Sequence, residues 1–212
     1  MNEHPKLQPD QIEARSFEII AGLLPNSDQS APEWPIVQRI VHTTGDPQIA
    51  QLLRFHPRAV DSGVRALREG RPIVTDVKML AAGINRKLAD RFGCEIVCAI
   101  DSPDTVALAR ERGITRSAAA MIHLRPRIPG AVLAIGNAPT ALFALLDSLE
   151  DGLAPPAVIV GTPVGFVGAA ESKAKLVQVT PPVPYVTVEG TRGGSTIAVA
   201  AINALLRLAV TE

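Results

Sequence analysis

The turn His42-Thr43-Thr44-Gly45-Asp46-Pro47 is dense in hydrogen-bonding groups. An imidazole titrates close enough to neutrality to donate a proton at physiological pH, so His42 is a candidate general acid. Thr43 and Thr44 beside it can orient the ring or the edge of a bound molecule. The same histidine also reads as a helix-terminal residue facing the helix dipole. Ser16 lies four residues after Ile12 and three and four before Ile19 and Ile20, which puts its hydroxyl on an apolar helix face. Such a hydroxyl either back-bonds to its own helix or points into a ligand cavity. Arg15 and Arg116 are candidate carboxylate clamps, although exposed arginines are commonly just solvated. Of the other histidines, His4 lies in a fraying tail, and His56 and His123 read as structural or solvated.

Three expected strands each run into a glycine-bearing turn followed by a helix start. The turns are residues 136–140 (GNAPT), 161–168 (GTPVGFVG) and 189–195 (EGTRGGS). Glycine lets the backbone approach a ligand closely, and free N–H groups at a helix start attract anions. In parallel α/β sheets ligands bind beyond the carboxyl ends of the strands, so these turns predict a pocket for an anionic molecule. The alternative is that the glycines merely close tight connections. No G-x-G-x-x-G, G-x-x-x-x-G-K-[ST] or G-x-S-x-G occurs, so nicotinamide, nucleotide triphosphate and serine-hydrolase chemistry lack their usual signals. Four histidines without H-x-x-H or H-E-x-x-H spacing predict no metal centre.

The elements that must position these groups fall into two stretches. The first seventy residues read as helical. Asp10 and Glu13, spaced as a capping box, open a helix to Leu24 with Ile12, Ile19, Ile20 and Leu23 as its apolar stripe. A loop follows at 25–30. A short helix at 35–42 turns Ile36, Ile40 and Val41 inward, and helical patterns cover 47–53 and 57–68. From residue 71 strands are expected at 72–76, 95–100, 131–135, 157–160 and 183–188. Helices are expected at 77–92, 103–112, 116–124, 139–149 and 195–208. Near-continuous apolar strands between helices indicate a mostly parallel sheet covered on both faces, an α/β fold in one domain over 1–212.

The 212 residues carry equal numbers of basic and acidic side chains, 47% hydrophobic residues and 3% aromatic residues. That balance fits a globular chain with a substantial core and argues against a general nucleic-acid binder. Cys94 and Cys98 in C-x-x-x-C spacing read as small apolar core residues rather than as a redox or zinc pair. The polar N-terminus has no secretory core, and no apolar run approaches the roughly 18 residues of a membrane helix. A cytoplasmic protein without membrane contact is expected.

Several segments together carry a resemblance: 14–17 (ARSF), 39–47 (RIVHTTGDP), 76–84 (DVKMLAAGI), 115–121 (TRSAAAM), 136–142 (GNAPTAL), 161–173 (GTPVGFVGAAESK), 190–195 (GTRGGS) and 203–205 (NAL). In this order the chain resembles the precorrin-8X methylmutase family of cobalamin biosynthesis. The resemblance implies a methyl shift from C-11 to C-12 on ring C of a polycarboxylate tetrapyrrole. The product would be hydrogenobyrinic acid, or cobyrinic acid from the cobalt complex. It further implies no cofactor, a homodimer with a five-stranded parallel sheet, and passing contact with neighbouring pathway enzymes. His42 corresponds to the family's catalytic histidine, and Ser16 and Arg116 to its substrate-contacting serine and arginine. Thr43, Thr44, Arg15 and Lys173 complete the expected substrate contacts. A non-catalytic carrier of the same pigment is the alternative from another class.

Overall fold

A computed structural model describes residues 8–179 and 182–211. Its six-stranded sheet has the order β1-β6-β5-β4-β2-β3. The strands are β1 (Leu53–Phe55), β2 (Ile73–Thr75), β3 (Ile96–Val97), β4 (Val132–Ile135), β5 (Val158–Gly161) and β6 (Tyr185–Val188). β2 to β6 run parallel, and β1 lies antiparallel on β6, Leu53 opposite Val188. Five parallel strands were expected; the sixth is this antiparallel edge strand. Its three residues are too short to show a period of two, so they read as part of a helical stretch. The 3₁₀ helix Pro47–Leu52 feeds straight into it.

Alternate strand residues serve two cores, as a pleated parallel sheet requires. Val132, Ala134, Val158 and Val160 face one side, whereas Leu133, Ile135 and Ile159 face the other. On the first side lie α2 (Trp34–Thr44), α3 (Ala59–Arg68), α4 (Lys78–Gly83) and the long α10 (Ser195–Thr211). On the second pack α7 (Arg116–His123), α8 (Pro139–Glu150) and α9 (Ala169–Gln178), with α6 (Pro103–Arg112) against α7. α9 begins where a helix start is expected, directly after the glycine turn 161–168, and runs on through the lysine-rich AESKAK segment.

α1 (Pro9–Leu23) starts earlier than the capping-box spacing suggested. Pro9 occupies the first helical turn, and the Gln8 N–H donates to Gln11 Oε1 at 2.9 Å, so a glutamine pair replaces Asp10 and Glu13. Its apolar stripe is only partly used. Ile20 is buried, but Ile12, Ile19 and Leu23 are half-exposed, because α1 packs on α2 along one edge alone. Ile36, Ile40 and Val41 of α2 are buried as expected.

The expected helix at 77–92 is broken in two, α4 and α5 (Arg86–Arg91). At the break Asn203 of α10 satisfies both freed backbone groups: its Oδ1 accepts from the Asn85 N–H at 2.8 Å, and its Nδ2 donates to the Gly83 carbonyl at 3.1 Å. Cys94 is buried, donates to the Leu67 carbonyl and has its thiol pushed up to about 11 by burial. That is the chemistry of an inert core thiol. Cys98 is half-buried.

The chain reverses direction across the sheet between β2 and β4: β3 lies outside β2, and β4 returns on its other side. This is the topological switch point, where open α/β sheets place their ligands. Asp76 ends β2 there, fully buried, and its carboxylate accepts from the N–H groups of Gly136, Asn137 and Ala138 at 3.2, 2.9 and 2.9 Å. One side chain thus ties the end of β2 to the turn after β4. Burial pushes its pKa up, and the three N–H groups pull it partly back.

Candidate functional site

His42 occupies the last turn of α2, which stops at Gly45 because glycine alone adopts its left-handed φ of 64° without strain. That stop leaves the imidazole exposed at the carboxyl edge of the sheet. The ring meets Phe17 of α1 edge to face, with centroids 5.7 Å apart. The Arg39 guanidinium, one turn back on α2, lies 4.7 Å over the same phenyl ring and pairs with Glu13. Arg39 holds the Glu13 carboxyl below the usual carboxylate range, assisted by Arg207 at 3.4 Å. Glu13 is therefore ionised at neutral pH, with its charge compensated by two arginines. Among the described residues no hydrogen bond occupies the nitrogens of His42, which leaves them available to a ligand.

Two clefts meet at this histidine. One, of about 310 Å³, runs between α2, α4 and α10 and is lined by Arg39, His42, Thr43, Met79, Ser195 and Asn203. The other, of about 220 Å³, runs between α1 and the end of α2 and is lined by Ser16, Ile19, Leu23, His42 and Gly45. Met79 is largely exposed on the wall of the first cleft, and α10 begins on the same cleft at Ser195, where the positive end of the helix dipole favours anions. The arrangement can take a broad, partly apolar ring lying across the imidazole, with anionic substituents directed to Arg39 and the start of α10. A larger cleft, about 500 Å³, lies on the far face of the sheet between α7 and α8, lined by residues such as Arg112, Phe143 and Asp151. It includes Thr140 of the 136–140 turn but no histidine and none of the candidate residues Ser16, His42, Thr43, Arg116 or Lys173, so size alone does not mark the site.

The structure gathers some of the expected residues and disperses others. His42, Thr43 and Ser16 come together. The Ser16 hydroxyl donates to the Ile12 carbonyl at 2.9 Å, which is the back-bonding arrangement, while its oxygen can still accept within the cleft. Thr44 is turned inward, its hydroxyl donating to the Ile40 carbonyl at 2.9 Å. Arg15 is exposed and paired with Glu18 at 2.7 Å. Arg116 opens α7 behind the Thr115 N-cap and lines a separate cleft of about 410 Å³ with Val106, Ala109, Arg110 and Ile114, near the exposed Lys78–Asp101 pair. Lys173 does not reach either cleft: it is 2% exposed, and its ammonium donates to the Arg192 carbonyl. Arg39, Glu13, Met79 and Asn203 were missed as site residues. Arg39 stands three residues before His42 and so on the same helix face, and Met79 and Asn203 lie in the resembling segments 76–84 and 203–205, which did not single them out.

A family model described as precorrin-8X methylmutase matches residues 11–208. A precorrin-8X methylmutase from Sinorhizobium sp is 45% identical over 196 residues, covering 92% of this chain and 93% of that one. A cobalt-precorrin-8 methylmutase from Priestia megaterium is 40% identical over 203 residues, covering 96% and 89%. The crystal structure of a precorrin-8X methylmutase from Thermus thermophilus superposes with a TM-score of 0.86 at 38% identity, covering 94% and 97%.

Proposed function

Because the chain belongs to the precorrin-8X methylmutase family, it is an isomerase, and we propose that it moves a methyl group from C-11 to C-12 on ring C of precorrin-8X, or of its cobalt complex. Hydrogenobyrinic acid or cobyrinic acid leaves the site with the same mass as the substrate. The observation that carries this reading is the position of His42, with its ring nitrogens unoccupied where two clefts meet.

A sigmatropic methyl shift breaks one carbon–carbon bond as it forms another on the adjacent carbon, and needs neither nucleophile nor electron carrier. It gains from electron withdrawal by the ring, and a proton held on or near the ring C nitrogen provides that. His42 donates this proton in this reading and takes it back once the methyl has moved, so substrate and product differ only in the position of the methyl group. Phe17 limits the rotation of the imidazole, and Thr43 and Ser16 bound the macrocycle on either side. The peripheral carboxylates go to Arg39, to the start of α10, and at longer reach to Arg15 and Arg116.

The half-exposed Ile12, Ile19 and Leu23 on α1 and the exposed Phe166 and Val167 after β5 support a homodimer, since a second copy would cover them. Light scattering is expected to give twice the 22.4 kDa chain mass. The reading places the enzyme in the cytoplasm, in passing contact with enzymes that make and consume its pigment. Among the described residues no helix is long and apolar enough to cross a membrane.

The test is conversion by substoichiometric protein. Purified protein added to excess precorrin-8X, then to its cobalt complex, should change the absorption spectrum of one of them at constant molecular mass. A spectrum that shifts only in proportion to protein and reverts on denaturation would replace the mutase with a carrier.

A further inference from the structure

Lys173 is among the largest fully buried side chains of the chain, in the middle of α9. Its ammonium donates to the Arg192 carbonyl in the β6–α10 loop, and among the described residues no carboxylate pairs with it. A buried ammonium facing one neutral acceptor is disfavoured. Burial accordingly lowers its pKa to about 8. Leucine or methionine would fill the same space at no such cost, so the charge has a task other than packing.

What the held carbonyl controls identifies the task. With its carbonyl turned inward to Lys173, Arg192 reaches across 146 residues of sequence to Asp46, Nη1 to Oδ2 at 2.7 Å. Asp46 directly follows the stop of α2: its N–H turns to Thr44 Oγ1, and its Oδ1 caps the next helix through the Gln48 N–H at 2.9 Å. His42 is one turn back. On its other side the loop is clamped at Gly193, where a Cβ would come within 2.3 Å of the Thr162 carbonyl oxygen, and at Gly194, whose N–H donates to that oxygen at 2.8 Å. Ser195 follows at once, opening α10 on the wall of the His42 cleft. The loop therefore joins both walls of that cleft.

We propose that Lys173 is a positioning residue: through the Arg192 carbonyl and the Arg192–Asp46 ion pair it sets the place of the His42 turn relative to the first turn of α10. The inference rests on His42 being the proton donor. The ion pair is partly exposed, 47% and 32%, so it contributes little to stability. A catalytic group misplaced by about 1 Å, by contrast, can lower a rate by roughly 10²-fold.

The experiment compares Lys173→Met, Arg192→Gln, Asp46→Asn and the Lys173→Met/Asp46→Asn double variant, with Arg127→Gln at the amino end of the sheet as the control. Asparagine at 46 keeps one oxygen for the helix cap and replaces the oxygen that accepts from Arg192 with an amide NH2, which cannot accept. Each of the three single variants should lose about tenfold in kcat with KM nearly unchanged. The double variant should lose no more than the worse single, as expected of residues acting through one connection. The ring resonances of His42, followed by NMR, should shift in these variants and stay in place in Arg127→Gln. Lys173→Met should melt no lower than the parent. Unchanged kcat in Arg192→Gln and Asp46→Asn, additive losses in the double variant, or unmoved His42 resonances would overturn the proposal. If Lys173→Met fails to fold, the two surface variants decide alone. Loss of the proton-donor reading would show as full turnover by His42→Ala, whereas the resonance shifts test the positioning independently.

Discussion

His42→Ala should bind the macrocycle within a few-fold of the parent and convert it about 10²–10⁴ times more slowly, the range that a positioned general acid typically supplies. The two clefts stay intact when the ring is removed, because their walls come from α1, α4 and α10 and from neighbouring positions of α2. Stability should barely change, since His42 is exposed and its one ring contact, with Phe17, is at the surface of the core. Binding is followed by the shift of the pigment spectrum and conversion by the extracted product. Loss of binding together with turnover would make the histidine a structural support. Normal turnover would remove it from the mechanism.

Asp76→Ala should be the most destabilising single change near the site, by about 3–5 kcal/mol, comparable to breaking a buried charged interaction. Three N–H groups at the end of β4 lose their acceptor at once, and Ala134 and Gly136 leave no other side chain to replace it. The deficit depends on pH. The folded-state pKa of Asp76 lies above its ordinary value of 3.8 because burial disfavours the charge. Its stabilisation is therefore greatest below pH 3.8 and declines as pH rises through the raised value. Denaturant melts should show the gap between parent and variant narrowing with pH across that window. A gap below about 1 kcal/mol at every pH would mean that water replaces the carboxylate at no cost.

Local patterns carried the central strands. The apolar runs at β4 and β5 need no partner to be recognised, because burial on both faces makes them continuous. β1 was invisible because three residues show no period and its only signature is a partner more than a hundred residues later. The break between α4 and α5 is likewise set from outside, by Asn203. Long-range effects also redirected individual side chains. Lys173 is placed by α9, of which the pattern shows the start after the glycine turn but not the buried face, and Arg192 and Asp46 become neighbours only through the sheet order. His42 was legible for a different reason: a titratable ring just before a glycine stop, in a turn of polar residues, is a local feature. Ser16 was legible as a hydroxyl on an apolar face, and the fold shows both that it back-bonds and that it borders the cleft.

The methyl group itself gives the most direct measurement. Precorrin-8X carrying a ¹³C label in its C-11 methyl group, mixed with substrate whose ring nitrogens alone are labelled with ¹⁵N, should be converted together by the protein. The predicted result is ¹³C on C-12 in every product molecule that started with it, with no molecule carrying both labels. Label remaining on C-11 would contradict a mutase, and doubly labelled product would contradict an intramolecular shift.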